Sequence, residues 1–470
     1  MENIMKYILV SFLIFSAGLS QAQERLTLED SRRMALENSE NIQIARLQIE
    51  KARADKDAMR TLYLPSFSAN ATGIYLHKDI EMEMYLPTVK PDPLTGQLLP
   101  NVMRHPVTGE IVMGPDGLPV FNTYAWLPLE VSLQGAWLAG IAVEQPLYAG
   151  GKISAGNSMA RIGVDMASEN LNLQRTETIY ETDQAYWLYV SVQEKVKLAD
   201  MYVHLLNELE KQVQHAYEAG LVNRNDWLKV AVRHHDAKIL LQQARSGKEL
   251  ARMALCRLVG LPLQTELETM ETGLASNRQV QMAQGPVDVS KRPEYRILQR
   301  QVDFAEENMR MVRADFLPTA GLRVGYQYIG GVDLGLTTYN EGNTSIMASV
   351  TIPLFHWGEG RKKQLSARHA MQIRQAELEK NTSFMLLEVE QARLYLIDAL
   401  TRVQLLEQAM EQAEENLSVH QARFELELDV LTDLLEAQVH WQSAFGSLID
   451  ARTDLRLRET AYLKAKGLLD

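Results

Sequence analysis

The second half of the chain repeats the first half at a spacing of 207 residues. The segment Tyr217–Val232 aligns with Phe424–Val439, and Gln145–Tyr148 aligns with Ile352–Phe355 at the same spacing. A spacing that holds over more than a hundred residues indicates a duplicated structural unit. Any fold of this chain must therefore contain each predicted element twice.

A second spacing places an insertion in the first half. Arg60–Pro65 matches Arg313–Pro318 at 253 residues, which exceeds the other spacing by 46 residues. The extra residues fall within 77–129, a stretch that holds eight of the fifteen prolines. Because proline breaks helices and removes backbone donors from sheets, this stretch is predicted to be a long surface loop of small hairpins without a helix or a long central strand.

The hydrophobic periodicity divides both repeats in the same order: helix, strand, loop, strand, long helix, turn and helix. Helices are predicted over Leu26–Leu62, Lys152–His215, Asn225–Leu258, Pro293–Phe316, Gly360–Phe424 and Thr432–Lys466. The first repeat is predicted over 23–260 and the second over 291–470, with a linker at 261–290. A helix about 100 Å long is not stable alone, so coiled-coil packing of the helical hairpins is predicted.

Four segments alternate apolar and polar residues with a period of two, as strands with one apolar face do. Each is about ten to twelve residues long, which is enough for a tilted strand to cross a bilayer. The apolar face, predicted to face lipid, includes Phe67, Tyr75, Trp137, Tyr326 and Val350. Four strands cannot close a barrel in lipid, so strands that meet lipid require oligomerisation, and three copies supply twelve strands.

The amino terminus and the composition point to an exported protein. Residues 1–22 have the features of a secretory signal peptide: Lys6, an apolar run and the small residues Ser20 and Ala22. The net charge of −12 opposes binding to nucleic acid. The single cysteine, Cys256, excludes an intrachain disulfide.

The sequence gives no indication of a catalytic, cofactor or metal site. His234 and His235 are adjacent, so on a helix their side chains point about 100° apart and do not form a metal-binding i, i+4 pair. Gly150 and Gly151 follow a strand, but the Lys-Ser/Thr of a phosphate-binding loop does not follow them. The chain is therefore predicted not to be an enzyme and to need no cofactor.

The order of these features resembles that of the TolC-like outer-membrane efflux proteins over essentially the whole mature length. In both repeats Leu-Pro opens a strand, Pro-Leu-aromatic closes one, and a helical hairpin has a tip of the form aromatic-Glu-x-x-Leu-x-x-x-x-Asp-x-Leu. The resemblance implies a mainly α-helical fold with membrane β-strands. It further implies a homotrimer with a 12-stranded β-barrel in the outer membrane and an α-helical barrel across the periplasm.

The resemblance also implies a function and partners. The chain is expected to be an outer-membrane channel that exports small molecules or proteins and is surrounded by outer-membrane lipid. A periplasmic adaptor protein and an inner-membrane pump are expected to dock at the hairpin tips, through Gly220, Leu221, Arg224, Leu426 and Leu428. The alternative is a soluble periplasmic coiled-coil scaffold without a channel, in which the alternating segments are ordinary core strands.

Three carboxylates near the second tip are the candidate pore gate. Asp429, Asp433 and Glu436 have the spacing of one helical stripe, which is most often a solvated face. The resemblance implies instead that Asp433 and Glu436 form acidic rings at the periplasmic entrance. Glu427 and Asp429 stand where the family pattern has Gly and often Arg, so Asp429 is expected to add a third, repulsive ring. Arg224 at the first tip is the candidate for the replacement cation.

Overall fold

The computed structural model of the chain describes residues 24–87, 89–92, 94–122, 126–270, 287–333 and 338–469. The predicted signal peptide and residues 271–286 of the predicted linker lie outside these ranges. Contacts divide the chain into two units. The helical unit comprises Met1–Lys56, Ser158–Glu307 and Ala367–Asp470, and the strand unit comprises Asp57–Asn157 and Asn308–Ser366. Both repeats contribute to each unit.

The helices reproduce both spacings of the duplication. Their bounds are α1 Leu28–Asn38, α2 Glu40–Thr61, α3 Lys152–Glu218, α4 Arg224–Val259, α5 Pro293–Ala314, α6 Glu359–Glu425 and α7 Leu431–Ala465. α3 and α6 have 67 residues each and begin 207 residues apart. α2 and α5 have 22 residues each and begin 253 residues apart. Within the described part of the chain, no helix is both long and apolar enough to cross a membrane.

The predicted single helix over Leu26–Leu62 is wrong in one respect, because it is two helices. Ser39 separates α1 from α2 with an extended backbone, at φ −63° and ψ 123°. α1 begins after Thr27, whose hydroxyl oxygen accepts a hydrogen bond from the backbone amide of Asp30 at 3.1 Å. This side-chain cap satisfies one of the amides that a helix start leaves free.

Apolar packing holds the long helices together within the helical unit, as expected for helices whose stability depends on tertiary contacts. The rings of Tyr186 and Tyr189 on α3 are fully buried beside Leu255 of α4. The hydroxyl group of Tyr189 donates a hydrogen bond to the carbonyl of Leu267 at 2.8 Å. The buried ring therefore keeps a partner for its polar group.

The predicted linker 261–290 contains a short strand that the sequence analysis missed. β6, Leu267–Thr269, pairs in parallel with β1, Glu24–Leu26, at the start of the first repeat. Strands of three residues are too short for an alternating pattern to be recognised in the sequence.

The main sheet of the strand unit is antiparallel and has the strand order β2–β5–β7–β8. Its strands are β2 Ser66–Pro87, β5 Trp126–Ala149, β7 Thr319–Asp333 and β8 Thr338–Thr351. The hairpin of the first repeat thus lies beside the hairpin of the second repeat, through pairing of β5 with β7. β2 and β8 form the two edges of the sheet.

The predicted loop 77–129 is too long, because strands extend into it from both ends. β2 and β5 remain paired as far as Pro87 and Trp126, past a bulge between Tyr75 and Ile80. Proline is tolerated there because β2 is an edge strand, and because β5 pairs with β7 only from Ser132 onward. Among the described residues, 126–131 of β5 therefore pair with β2 alone and not with β7.

The prediction of small hairpins between these strands is confirmed. β3, Val89–Pro91, pairs with β4, Leu98–Pro100, and single bridges join Arg104 to Ile111 and Met113 to Pro119. Each of the three turns has a glycine with a positive φ, which only glycine adopts without strain. These glycines are Gly96, Gly109 and Gly117.

Candidate functional site

Both helical hairpins of the helical unit end in a short turn with exposed apolar side chains. We call residues 217–223, between α3 and α4, the first tip, and residues 424–430, between α6 and α7, the second tip. The predicted docking residues Leu221, Leu426 and Leu428 are 73%, 69% and 65% exposed. Clustered exposed apolar side chains of this size are typical of interaction surfaces.

The first tip has a favourable backbone. Gly220 adopts φ +77°, and the amide of Leu221 donates a hydrogen bond to the carbonyl of Ala216 at 2.9 Å. This arrangement is a common way for a helix to end, and glycine adopts it at no steric cost. Asn223 then caps α4, because its side-chain oxygen accepts a hydrogen bond from the amide of Asp226 at 2.9 Å.

The second tip has the same backbone with less suitable residues. Glu427 occupies the position of Gly220 and adopts φ +59°. The amide of Leu428 donates to the carbonyl of Arg423 at 2.8 Å, which repeats the hydrogen bond of the first tip. Val430 precedes α7 and makes no side-chain cap. The second turn therefore keeps the geometry of the first without its glycine or its capping side chain.

The helices behind the two tips share one apolar cluster. Its buried members are Leu209, Val213, Val230, Leu417, Leu434 and Ala437. Trp227 packs against this cluster and stacks on Tyr217, with the ring centroids 6.0 Å apart. Both tips are thus supported by the same apolar core.

Asp429 is held inside the second tip. Its side chain is 7% exposed and accepts hydrogen bonds from His420 Nδ1 at 2.7 Å and from Arg423 Nε at 3.0 Å. Burial raises the pKa of the Asp429 carboxyl group, but the hydrogen bonds from His420 and Arg423 lower it more, so the pKa lies below its ordinary value of 3.8. Asp429 is a paired carboxylate.

Two expectations for Asp429 are therefore wrong. Asp429 lies in the turn before α7, so it does not continue the helical stripe of Asp433 and Glu436. Its carboxylate is neutralised within its own hairpin, so it is not available as a free repulsive charge. Within the described parts of the chain the cations beside Asp429 are His420 and Arg423, whereas Arg224 is exposed and has no ion-pair partner there.

The sequence analysis missed His420 and Arg423, although the repeat contains a signal for one of them. At the 207-residue spacing, His420 and Asp429 align with Val213 and Val222. Two positions that change together from apolar to opposite charge indicate a contact. Arg423 aligns with Ala216 and carries no comparable signal.

Asp433 and Glu436 are exposed in the first turns of α7. Glu436 lies 3.5 Å from His440 Nε2, one turn further along the helix. Glu436 also lines a groove of about 750 Å³ between α4 and α7, together with Leu228, Val232, Leu435 and Val439. The two predicted gate carboxylates are thus exposed to solvent, and Glu436 lies beside this groove.

The register of the sheet brings the predicted lipid-facing residues to one face. Directly opposed residues share a face, and Phe67, Val143, Val324 and Ile346 form one such row across all four strands. Counting along the strands in steps of two puts Tyr75, Trp137, Tyr326 and Val350 on the same face. The opposite face carries the ion pair between Glu144 and Arg323, at 3.0 Å.

The histidines do not assemble a metal site in the described ranges, where no group of three or more His, Cys, Asp or Glu side chains has suitable geometry. His234 is buried, and its Nδ1 atom contacts a carboxylate oxygen of Glu210 at 2.5 Å. The neighbouring His235 uses its Nδ1 atom on the carbonyl of Ala231 at 2.7 Å. Both imidazoles therefore have structural partners.

Comparison with known proteins identifies the family. The family model of the outer membrane efflux proteins matches residues 123–261 and 287–467, which make up more than half of the chain. The chain belongs to the outer membrane efflux protein family. The gap between the two matched segments falls in the predicted linker between the repeats.

Individual relatives agree with this assignment. The chain is 25% identical over 351 residues to the alkaline protease secretion protein AprF of Pseudomonas aeruginosa, covering 71% of this chain and 70% of AprF. A membrane protein from Pseudomonas aeruginosa has a TM-score of 0.72 at 18% identity, with 93% of both chains covered. The outer membrane protein VceC of Vibrio cholerae has a TM-score of 0.69 at 16% identity, with 94% of this chain and 96% of VceC covered.

The predicted fold class and function are confirmed at this level. The efflux protein has the TolC-like fold, mainly helical with a membrane β-domain, and it is an outer-membrane efflux channel that extends into the periplasm. The alternative of a soluble periplasmic scaffold is not supported. Members of the family are trimeric channels that work with adaptors and pumps, and they are channels rather than enzymes.

Proposed function

We propose that three copies of this chain close a twelve-stranded barrel by pairing the β2 edge of one copy with the β8 edge of the next. The observation that carries this proposal is a four-stranded sheet with two unpaired edges and one continuous apolar face. Unpaired strand edges are not tolerated in lipid, so a sheet of this kind needs partners on both sides.

The apolar face of the sheet meets outer-membrane lipid, and the polar face lines the channel. The packing of Trp137 on Tyr328, with centroids 5.1 Å apart, adds aromatic surface to the lipid side. The Glu144–Arg323 pair lies on the other face, where water can solvate both charges. The strong chemical difference between the two faces supports this orientation.

The two tips dock a periplasmic adaptor, which connects the channel to an inner-membrane pump. Leu221, Leu426 and Leu428 supply the apolar contacts, and Gly220 and Arg224 belong to the same surface. The neighbouring groove between α4 and α7 extends this surface along the hairpins. An apolar groove beside exposed leucines suits a helical partner.

Asp433 and Glu436 form the entrance gate of the trimer. Both carboxylates are exposed in a single chain, so three copies supply rings of three like charges each. Such rings attract cations, and the low-dielectric walls of a narrow pore strengthen their field. Asp429 is not part of these rings because it is paired within its own hairpin.

The remaining features fit export through the outer membrane. Residues 1–22 direct the chain across the inner membrane and are removed, and the two repeats, 23–260 and 291–470, each supply one strand pair and one helical hairpin. The hairpins within 77–129 extend the β2–β5 pair on the outer side of the barrel. The similarity to an alkaline protease secretion protein supports proteins as one class of cargo.

Disulfide trapping between the sheet edges tests the trimer. In a Cys256→Ala background, Ala69→Cys on β2 is combined in turn with Ile346→Cys, Ala348→Cys and Val350→Cys on β8. We expect at least one pair to give covalent trimers in outer membranes. The matched control, Ala69→Cys with Ile141→Cys, joins directly opposed residues of one chain and should stay monomeric. Only monomers from every β2–β8 pair would refute the proposed closure.

A further inference from the structure

The contact that closes the second tip differs in kind from the one at the first tip. In the first hairpin Val213 is buried in the tip cluster and Val222 packs against it. In the second hairpin the aligned positions hold His420 and Asp429, which are joined by a hydrogen bond of 2.7 Å. The second copy thus has a charged contact where the first copy has an apolar one.

Two hydrogen bonds and the dipole of α6 stabilise the charged contact. Asp429 accepts one hydrogen bond from the imidazole Nδ1 of His420 and one from the guanidinium Nε of Arg423, each at a different carboxylate oxygen. His420 and Arg423 lie one turn apart near the carboxyl end of α6, where positive side chains interact favourably with the helix dipole. The Asp429 side chain is 7% exposed, so these charge-assisted hydrogen bonds replace most of its contacts with water.

The backbone of the second tip needs such support. A left-handed conformation is unfavourable for a residue with a Cβ atom, and Glu427 adopts it at φ +59°. The turn also lacks the amide cap that Asn223 provides at the first tip, because Val430 has no polar side-chain atom. The second tip therefore lacks two of the local restraints that hold the first tip.

We propose that Asp429 is the positioning residue of the second tip. With His420 and Arg423 it forms a clamp that holds residues 426–430 in the strained turn and so fixes the orientation of Leu426 and Leu428. The inference rests on the proposed docking role of the tips for its functional consequence, whereas the clamp itself is a property of the single chain. Docking at the second tip thus depends on a charged contact, and docking at the first tip does not.

Amide hydrogen exchange of the full-length trimer tests the clamp. Asp429→Asn keeps the shape of the side chain but removes its charge, so exchange of residues 424–430 should be about tenfold faster than in the wild type. Exchange of the first tip, residues 217–223, should not change, which provides the internal control. Unchanged exchange at the second tip would overturn the proposal.

Two rescue variants separate the clamp from a general loss of stability. Adding Glu427→Gly to Asp429→Asn removes the backbone strain, and His420→Val with Asp429→Val installs the apolar pair of the first repeat. The apolar pair should return exchange of 424–430 to within about threefold of the wild type, and the glycine should slow the exchange of Asp429→Asn about twofold. If neither restores protection, Asp429 does not act by holding this turn.

Photo-crosslinking in living cells tests the functional consequence. A photoreactive residue at position 428 should give an adaptor adduct in the wild type, a several-fold lower yield in Asp429→Asn, and a recovered yield in the rescue variants. Faster exchange with an unchanged adduct yield would leave the clamp intact but refute its role in docking. Absence of an adaptor adduct from both tips of the wild type would instead refute the proposed docking function.

Discussion

The two hairpin tips reach one backbone geometry by different chemical means. In both tips a residue with positive φ ends the long helix, and the next amide donates to the carbonyl five residues earlier. The first tip uses Gly220, Asn223 and apolar packing of Val213. The second tip has Glu427 and Val430 in place of the first two, and a charged contact around Asp429.

The same exchange of glycine for a bulkier residue occurs at the other end of the long helices. Before α3 the chain has Gly150 with φ +63°, and before α6 the aligned residue is Trp357 with φ +49°. Within the described ranges, Trp357 and Glu427 are the only residues other than glycine with positive φ. At both places the two repeats therefore share one backbone conformation although their residues differ.

The largest effect is expected from adding charge to both tips. Leu221→Glu with Leu428→Glu should abolish export and leave the trimer intact, because a charged side chain cannot enter an apolar docking site without losing its hydration. Either substitution alone should reduce export only in part. Whole-cell export assays and trimer bands on gels measure these effects. Leu94→Glu, on an exposed turn of the insertion, is the matched control and should have no effect.

Unlike the tips, the two copies should respond equally in the sheet. Ala139→Arg and Ile346→Arg occupy aligned positions on the apolar face, and each should destabilise the barrel by about 2–4 kcal/mol. Ser349→Arg on the polar face of β8 should cost much less. Denaturant unfolding of the protein in lipid vesicles measures the difference. Equal tolerance of arginine on both faces would contradict the assigned lipid face.

Smaller effects, opposite in sign at the two tips, are expected from substitutions of the two residues with positive φ. Gly220→Ala should destabilise the first tip by about 1 kcal/mol, because a Cβ atom there meets open space but the backbone conformation is strained. Glu427→Gly should stabilise the second tip by about 0.5 kcal/mol, since the relief of strain exceeds the entropy cost of glycine. Amide exchange at each tip reports both changes. If both substitutions stabilised their tips, or both destabilised them, the proposed difference between the two turns would be contradicted.

The smallest expected effect is a difference in acid sensitivity. The pKa of Asp429 is lower in the folded protein, so its stabilising contribution is complete above the ordinary value of 3.8 and disappears as the pH falls through the lowered value. The exchange difference between wild type and Asp429→Asn should therefore begin to fall as the pH drops to about 3.8 and should vanish only below the lowered pKa of Asp429. A difference that disappears near neutral pH would assign the contribution to another group.

Most of the fold was predictable because periodicity and duplication reinforce each other. Two aligned copies fixed the bounds of α3 and α6 to within a few residues, and alternation alone assigned the apolar face of the sheet. The extension of β2 to Pro87 was not predictable from local propensity, because proline is acceptable only where a strand has a free edge. Strand neighbours are a property of the tertiary structure.

The site was less predictable than the fold. Leu221 and Leu428 were recognisable as exposed because both stand in turns with helix-ending residues on either side. The spacing of Asp429 suggested a helical stripe, but the start of α7 at Leu431 decides that it belongs to the turn. Which cation pairs with it depends on side-chain directions that sequence spacing does not specify.

Single-channel recording in planar bilayers tests most directly the claim that this chain forms a channel with an acidic periplasmic entrance. The wild-type reversal potential in a salt gradient should indicate cation selectivity, and trivalent cations added from the periplasmic side should block the current. Asp433→Ala with Glu436→Ala should weaken both properties, while Asp429→Asn should leave the selectivity nearly unchanged. Anion selectivity of the wild type, or undiminished block in the double variant, would contradict the account.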